Sequence, residues 1–377
     1  MSHARTYLDW NASAPLLPQA RAAMLAALGH AGNASSVHAE GRAARRIVEG
    51  AREGIAALAG AKPGDVVLTS GATEANATVL AAGWDTFICA GIEHDSVLAP
   101  ILRSGVPRIA LPVTGEGQVD VAVAADLIEK AAGAGRVLLT LQLANNETGA
   151  IQPLSELGEV ARAHGVAVHT DATQAMGRLP VDAGALGVDY LTFSSHKLGG
   201  PKGAGALIAR AGAHFEPLIA GGGQEQRRRA GTENVAAVAG FGAACDVALA
   251  DLAAAVPARI GALRDDLERM LAATAPQTVV LCSDVSRIVS TALIAMPGQR
   301  AETLVAALDL EGFAVSAGAA CSSGKVAASH VLAAMGVNAE IAHGAVRVSL
   351  GPTTTENDVA AFAAAWARVT SRVRQAA

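Results

Sequence analysis

Four polar clusters could carry chemistry, and each follows a short apolar run. Ser194-Ser195-His196-Lys197 comes after Tyr190–Phe193 and before the glycine-rich stretch 198–205. A lysine at the end of a buried run, with glycines that let a ligand approach, suits Schiff-base chemistry, since burial makes an amine more nucleophilic. The plain alternative is a solvated surface lysine. Asp171 follows Val166–Thr170 and stands three residues before Gln174. A carboxylate there needs a cationic partner, whether a protonated pyridine nitrogen, a metal or an arginine, although Asp-x-x-Gln also reads as a capping box. Ser70-Gly71-Ala72-Thr73-Glu74-Ala75-Asn76 opens a helix after Val66–Thr69. Free amides, a hydroxyl and the helix dipole together hold a phosphate; an ordinary N-cap is the other reading. Cys321 lies in Ser316–Lys325, among small residues and four positions before a lysine, a setting for a nucleophilic thiol.

In this order, a phosphate cradle, a carboxylate for a ring nitrogen and a Schiff-base lysine are the parts of a pyridoxal 5'-phosphate site. Glu93-His94-Asp95-Ser96, Asn145-Asn146-Glu147-Thr148-Gly149, Arg229-Ala230-Gly231-Thr232-Glu233-Asn234 and Val346-Arg347-Val348-Ser349-Leu350-Gly351 are further candidates. No GxxxxGK[ST], post-strand GxGxxG or HExxH pattern occurs, which leaves nucleoside triphosphates, dinucleotides and a standing zinc site without support. Arg227-Arg228-Arg229 reads as a local anion site or solvated loop rather than a nucleic-acid patch.

The elements that position these clusters alternate. Apolar runs at Val66–Ser70, Phe87–Ala90, Val137–Gln142, Val166–Thr170, Tyr190–Phe193 and Ala204–Ala209 read as buried strands, with helices at Thr73–Ala82, Val121–Ala132 and Leu154–His164 between them. This is the pattern of βαβ units and a largely parallel sheet, whose ligands gather at the strands' carboxyl ends. A charged helix (Ala258–Leu271) and a strand (Thr278–Cys282) after Val256-Pro257 mark a change of style. The expected organisation is a large domain over 15–255 and a smaller α+β domain built from 1–14 and 256–377.

Composition sets the outer bounds. The 377 residues are 51% hydrophobic but hold only 6 Phe, 3 Trp and 2 Tyr, so the core rests on aliphatic side chains. A net charge of −5 and a pI near 6.1 argue against a nucleic-acid partner. The most apolar segment, Asn234–Ala250, is alanine-rich, carries Asp246 and reads as a buried helix rather than a membrane span. The start, MSHARTYLDW, has no apolar signal core. Four scattered cysteines without a CxxC pair fit a reducing cytoplasm. Cys89 and Cys282 read as packed strand thiols and Cys245 as a helical one.

Nearly end to end, from Tyr7-Leu8-Asp9-Trp10-Asn11-Ala12 through Gly32–Arg42 and all the clusters above to Arg347-Val348-Ser349-Leu350-Gly351, the sequence resembles the NifS/IscS-type cysteine desulfurases of aminotransferase class V. The resemblance implies an α/β fold of the fold-type I pyridoxal phosphate enzymes, with a seven-stranded, mostly parallel sheet. It implies that Lys197 binds the cofactor covalently, that His94 stacks on the ring and assists proton transfer, and that Asp171 pairs with the ring nitrogen. Gln174 and Asn146 would contact the ring hydroxyl side, and Ala72, Thr73, Ser194 and His196 the phosphate. Thr232 would reach the phosphate of a neighbouring subunit in a homodimer. Asn146 and Arg347 would bind the substrate, Arg347 by its carboxylate.

The implied reaction moves sulfur from L-cysteine onto Cys321 as a persulfide, releases L-alanine, and passes the sulfur to an iron–sulfur scaffold protein or another acceptor. Cys321 would also ligate a nascent iron–sulfur cluster transiently. A selenocysteine lyase, or another class V β-lyase, is the alternative with the same cofactor site. The chain departs from the usual motifs at Ser195, at Ala320-Cys321-Ser322-Ser323 and at Ala77, changes that bear on the acceptor more than on the reaction.

Overall fold

The computed structural model describes residues 5–318 and 329–376. After a short N-terminal strand β1 (Thr6–Tyr7), seven strands form the main sheet: β2 (Val66–Thr69), β3 (Thr86–Ala90), β4 (Arg108–Leu111), β5 (Val137–Thr140), β6 (Ala167–Asp171), β7 (Tyr190–Ser194) and β8 (Gly205–Ala209). Their order is β2-β8-β7-β6-β5-β3-β4, and only β8 runs against its neighbours. The fold is α/β, as the alternation of runs and helices predicts. β4 went unread because Leu111 is its one buried residue, so it shows no apolar run.

Strand periodicity places helices on both faces. On β3, Ile88 and Ala90 join the larger core, while Phe87 and Cys89 join a smaller cluster on the opposite face. Helix Val235–Ala253 is long and apolar enough to cross a membrane by length and composition alone. Here it packs on helices Pro18–Leu28 and Ala39–Leu58, and a Cβ at Gly242 would stand 2.6 Å from the Cα of Ala51.

A left-handed Ala255 (φ 55°) turns the chain into helix Val256–Thr274. Strands β9 (Val279–Leu281), β10 (Thr291–Ala295), β11 (Phe313–Ala314), β12 (Ser316–Ala317) and β13 (Ala345–Ser349) follow. A second, antiparallel sheet has the order β12-β13-β10-β9, and β1 pairs with β11. Cys282 lies just past β9 at φ 58°, so its thiol belongs to a turn and not to the expected strand. On β13, Val346 and Val348 face a core with Phe362 and Trp366. Arg347, between them, therefore points the other way, toward the carboxyl ends of the main sheet.

Candidate active site

Those carboxyl ends surround a cavity of about 280 Å³ lined by Asn11, Ala12, Ala72, Thr73, His94, Ser96, Gln142, Ala144, Asn146, Asp171, Thr173, Gln174, Ser194, His196, Lys197 and Arg347. Every cofactor- or substrate-binding residue expected from the sequence is in this lining except Thr232, which is exposed and lies elsewhere on its own chain. Cys321 lies outside the described residues.

At the end of β2, helix Ala72–Leu80 begins on Gly71, and no side chain caps it. An ordinary N-cap would occupy first-turn amides with its own oxygen; with glycine there, those beyond Ala72 remain available to an anion. The Ala72 N–H donates to Ser194 Oγ at 2.7 Å, which leaves the serine's own proton to donate. β8 closes up beneath this turn: a Cβ at Gly205 would lie 2.5 Å from the Cα of Gly71. His196 contributes from β7's end, its Nδ1 3.2 Å from Ser13 Oγ. Burial, helped by Lys197 and Lys202, pushes His196 down to about 4, so near neutral pH it is uncharged before any anion binds.

Asp171 ends β6 and is buried. Its Oδ1 accepts the Thr173 N–H at 2.9 Å, and its Oδ2 accepts Asn76 Nδ2 at 2.9 Å. No helix follows Asp171, which removes the capping-box reading. His94 follows β3 and caps helix Asp95–Ser104, its Nδ1 accepting the Ser96 N–H at 3.0 Å. Behind it Glu93 is fully buried, and burial pushes its carboxyl well above the usual range. Lys197 Nζ donates to the carbonyls of Asn11 at 2.5 Å and Ala12 at 3.0 Å, so the N-terminal segment positions the amine. Gln174 donates through Nε2 to the Asn11 carbonyl at 3.1 Å, and its Oε1 accepts from Arg178.

Arg347 is buried, with Nη2 on Asp9 Oδ1 at 2.8 Å and Nη1 on the Asn146 carbonyl at 3.0 Å. Its Nε is buried and, among the described residues, has no partner; the same is true of Thr173 Oγ1 and Asn11 Oδ1. An amine, a carboxylate, an imidazole, helix-start amides and these unused polar atoms around one cavity match the donor and acceptor set of a pyridoxal phosphate bearing an amino acid. The residues fit the group.

The aminotransferase class-V family profile matches residues 6–362. The chain belongs to that family. It is 39% identical to the cysteine desulfurase IscS of Dictyoglomus turgidum over 94% of this chain and 91% of the relative. The solved NifS-like protein of Rickettsia africae superposes with a TM-score of 0.89 at 32% identity, covering 97% of this chain and 99% of that one. A structure described as SspA in complex with cysteine superposes with a TM-score of 0.79 at 28% identity, over 93% of this chain and 100% of that one. The fold is the fold-type I arrangement that the sequence resemblance implies.

Asn11, Ser96, Gln142 and Thr173 also line the cavity, although the sequence assigned none of them a role of its own; their roles depend on contacts between distant segments. The arginine run needs a correction. Arg228 Nη2 donates to the Val66 carbonyl at 3.0 Å and Arg229 pairs with Glu74 at 2.9 Å. Two of the three are structural ties, not a free anion site or a solvated loop; only Arg227 is exposed.

Proposed function

We propose that this chain is a pyridoxal 5'-phosphate-dependent cysteine desulfurase that takes L-cysteine, releases L-alanine and holds the transferred sulfur as a persulfide on Cys321. The observation that carries the reading is the convergence of Lys197, Asp171, His94 and Arg347 on one cavity. The names of its relatives and of the cysteine-bound neighbour support it. When bound, the cofactor supplies a carbonyl that captures the substrate amine and a ring that accepts electron density from the substrate's α-carbon.

The chain's own residues supply the rest. The amides of helix Ala72–Leu80, with Thr73, Ser194 and His196, bind the phosphate; Asp171 faces the ring nitrogen, and Asn146 and Gln174 the ring hydroxyl side. His94 covers the ring face. Lys197 gives and takes a proton at Nζ, and Arg347 holds the substrate carboxylate. Cys321 attacks the substrate sulfur as a thiolate; the S–S bond forms as the C–S bond breaks, and the carbon that loses sulfur gains a proton to become alanine's methyl group. The persulfide then goes to an iron–sulfur scaffold or another sulfur acceptor. The exposed Thr232, outside the lining of its own cavity, fits a homodimer in which it completes the neighbour's phosphate site. Exposed Leu25 and Leu28 on helix Pro18–Leu28 add apolar surface that a second copy would cover.

Reaction of the purified, yellow protein with one equivalent of L-cysteine tests this. The expected result is one alanine released and one sulfur added to the Cys321 peptide by mass. Alanine without modified Cys321 moves the assignment to a β-lyase, and absence of the cofactor's absorbance removes the reading.

A further inference from the structure

Between the carboxylate expected to face the ring nitrogen and the imidazole expected to cover the ring lies a continuous hydrogen-bonded path. Asn76 is fully buried. Its Nδ2 stands 2.9 Å from Asp171 Oδ2 and 2.9 Å from Ser96 Oγ, and its Oδ1 accepts from Thr192 Oγ1. A carboxylate only accepts. That fixes which way the Asn76 amide faces and spends both of its N–H groups, one on Asp171 and one on Ser96. Ser96 Oγ is then an acceptor from Asn76, and its own proton points to His94 Nδ1, 2.8 Å away.

We infer that Ser96, aligned by Asn76, is a positioning residue for His94. It adds a second donor to Nδ1 beside the backbone N–H, which fixes the angle of the ring and keeps its proton on Nε2, the nitrogen not engaged with the helix. Through Asn76 the same bridge ties the imidazole to Asp171, so the two groups on either side of the cofactor ring move as one unit. The inference rests on the reading above for what that ring is. Helix capping alone does not explain the hydroxyl. The cap is already made by the Ser96 backbone N–H donating to His94 Nδ1 at 3.0 Å, and alanine would make it equally well. Helices Ala72–Leu80 and Asp95–Ser104 are joined at this point by the Asn76–Ser96 bond across 20 residues, and the buried Asn76 amide needs that acceptor for its second N–H.

The test is Ser96→Ala, with Ser96→Thr as the variant that keeps a hydroxyl. The ring is read directly by proton–nitrogen correlation spectra of histidine-labelled protein without cofactor, at alkaline pH. The expected result is an Nε2–H form of His94 in all three proteins, with the Nδ1 resonance unchanged in Ser96→Thr and displaced in Ser96→Ala, where one of its two donors is gone. In the loaded enzyme, kcat of Ser96→Ala should fall roughly tenfold, less than the roughly hundredfold or more that a proton-transfer group contributes in full, with KM unchanged. Identical His94 resonances in parent and Ser96→Ala would overturn the inference. Failure of the parent to bind the cofactor would instead remove the functional reading, while the cofactor-free spectra would still decide whether the bridge holds the imidazole.

Discussion

Asp9 holds Arg347 with one carboxylate oxygen and Ser316 with the other, at 2.8 Å each. Ser316 opens β12, the strand paired with β13 at Arg347 itself. One acidic residue from the N-terminal segment thus joins the arginine expected to meet the substrate to the strand that leads into the Cys321 segment.

A substrate carboxylate at Arg347 gains a charged, two-pronged contact that lysine cannot reproduce. A hydrogen bond to a charged group contributes about 1.5–3 kcal/mol. Arg347→Lys should therefore raise KM for L-cysteine roughly tenfold to hundredfold with a much smaller change in kcat, as steady-state kinetics would show. An unchanged KM would place the carboxylate elsewhere.

Cys321→Ser separates the two sulfur chemistries. A desulfurase so altered should keep the cofactor's absorbance and its shift on adding L-cysteine but lose multiple turnover of alanine. Turnover near the parent rate would identify a lyase that needs no thiol. Lys197→Ala is the companion variant: the protein should fold, as judged by circular dichroism, yet lose the covalently held chromophore.

Acid should weaken the fold through His169. This residue is fully buried, with Nδ1 2.7 Å from Thr140 Oγ1 and Nε2 3.4 Å from Thr192 Oγ1. Burial pushes it down from 6.5 to about 4. The unfolded chain takes up a proton near 6.5 that the folded one refuses until about 4, so this term is absent above 6.5 and destabilises increasingly as pH falls through that window. It amounts to about 3 kcal/mol by pH 4. Glu93 and Glu147, whose carboxyls burial pushes up, act in the opposite direction. The contribution is therefore read as a difference: urea unfolding of His169→Gln should lose less stability between pH 7 and pH 5 than the parent does, and parallel curves would contradict the assignment.

Arg52 and Glu225 form a buried two-pronged ion pair, 2.7 Å on each prong, and Glu225 Oε2 also accepts the Leu68 N–H at 2.9 Å. Glu225, Gln226 and Arg227 are all left-handed, at φ 46°, 57° and 67°, a run that costs energy in non-glycine residues and persists only where surrounding contacts enforce it. Glu225→Ala leaves the buried Arg52 charge only the half-exposed Glu49, 3.1 Å from its Nε, and should cost about 3 kcal/mol in chemical denaturation. It should also loosen the chain leading to Thr232, seen as faster amide exchange over 226–232.

Much of this was legible in the sequence because buried parallel strands leave unbroken apolar runs, and most residues lining the cavity sit just after them. What escaped shows where that logic ends. β4 carries Arg108 at its start and buries only Leu111, so an edge strand looked like a loop. Asn76 and Ser96 are ordinary helix-start residues until folding sets them beside Asp171 and His94, and Asn11 meets Lys197 across 186 residues. No local pattern encodes such distances. Arg228 and Arg229 misled for the same reason: their partners, Val66 and Glu74, lie more than 150 positions earlier.

The antiparallel strand β8 has a consequence for how the protein is made. β2, which leads into the turn expected to hold the phosphate, pairs with no strand of the main sheet except β8. During synthesis it waits, unpaired and apolar, from residue 69 until residue 205 has emerged. Closing so long a loop is slow, and it leaves a sticky edge exposed to solvent meanwhile. The turn after β2 and the strand before Lys197 thus become neighbours only when β8 is in place, whereas β7 can pair with β6 before that.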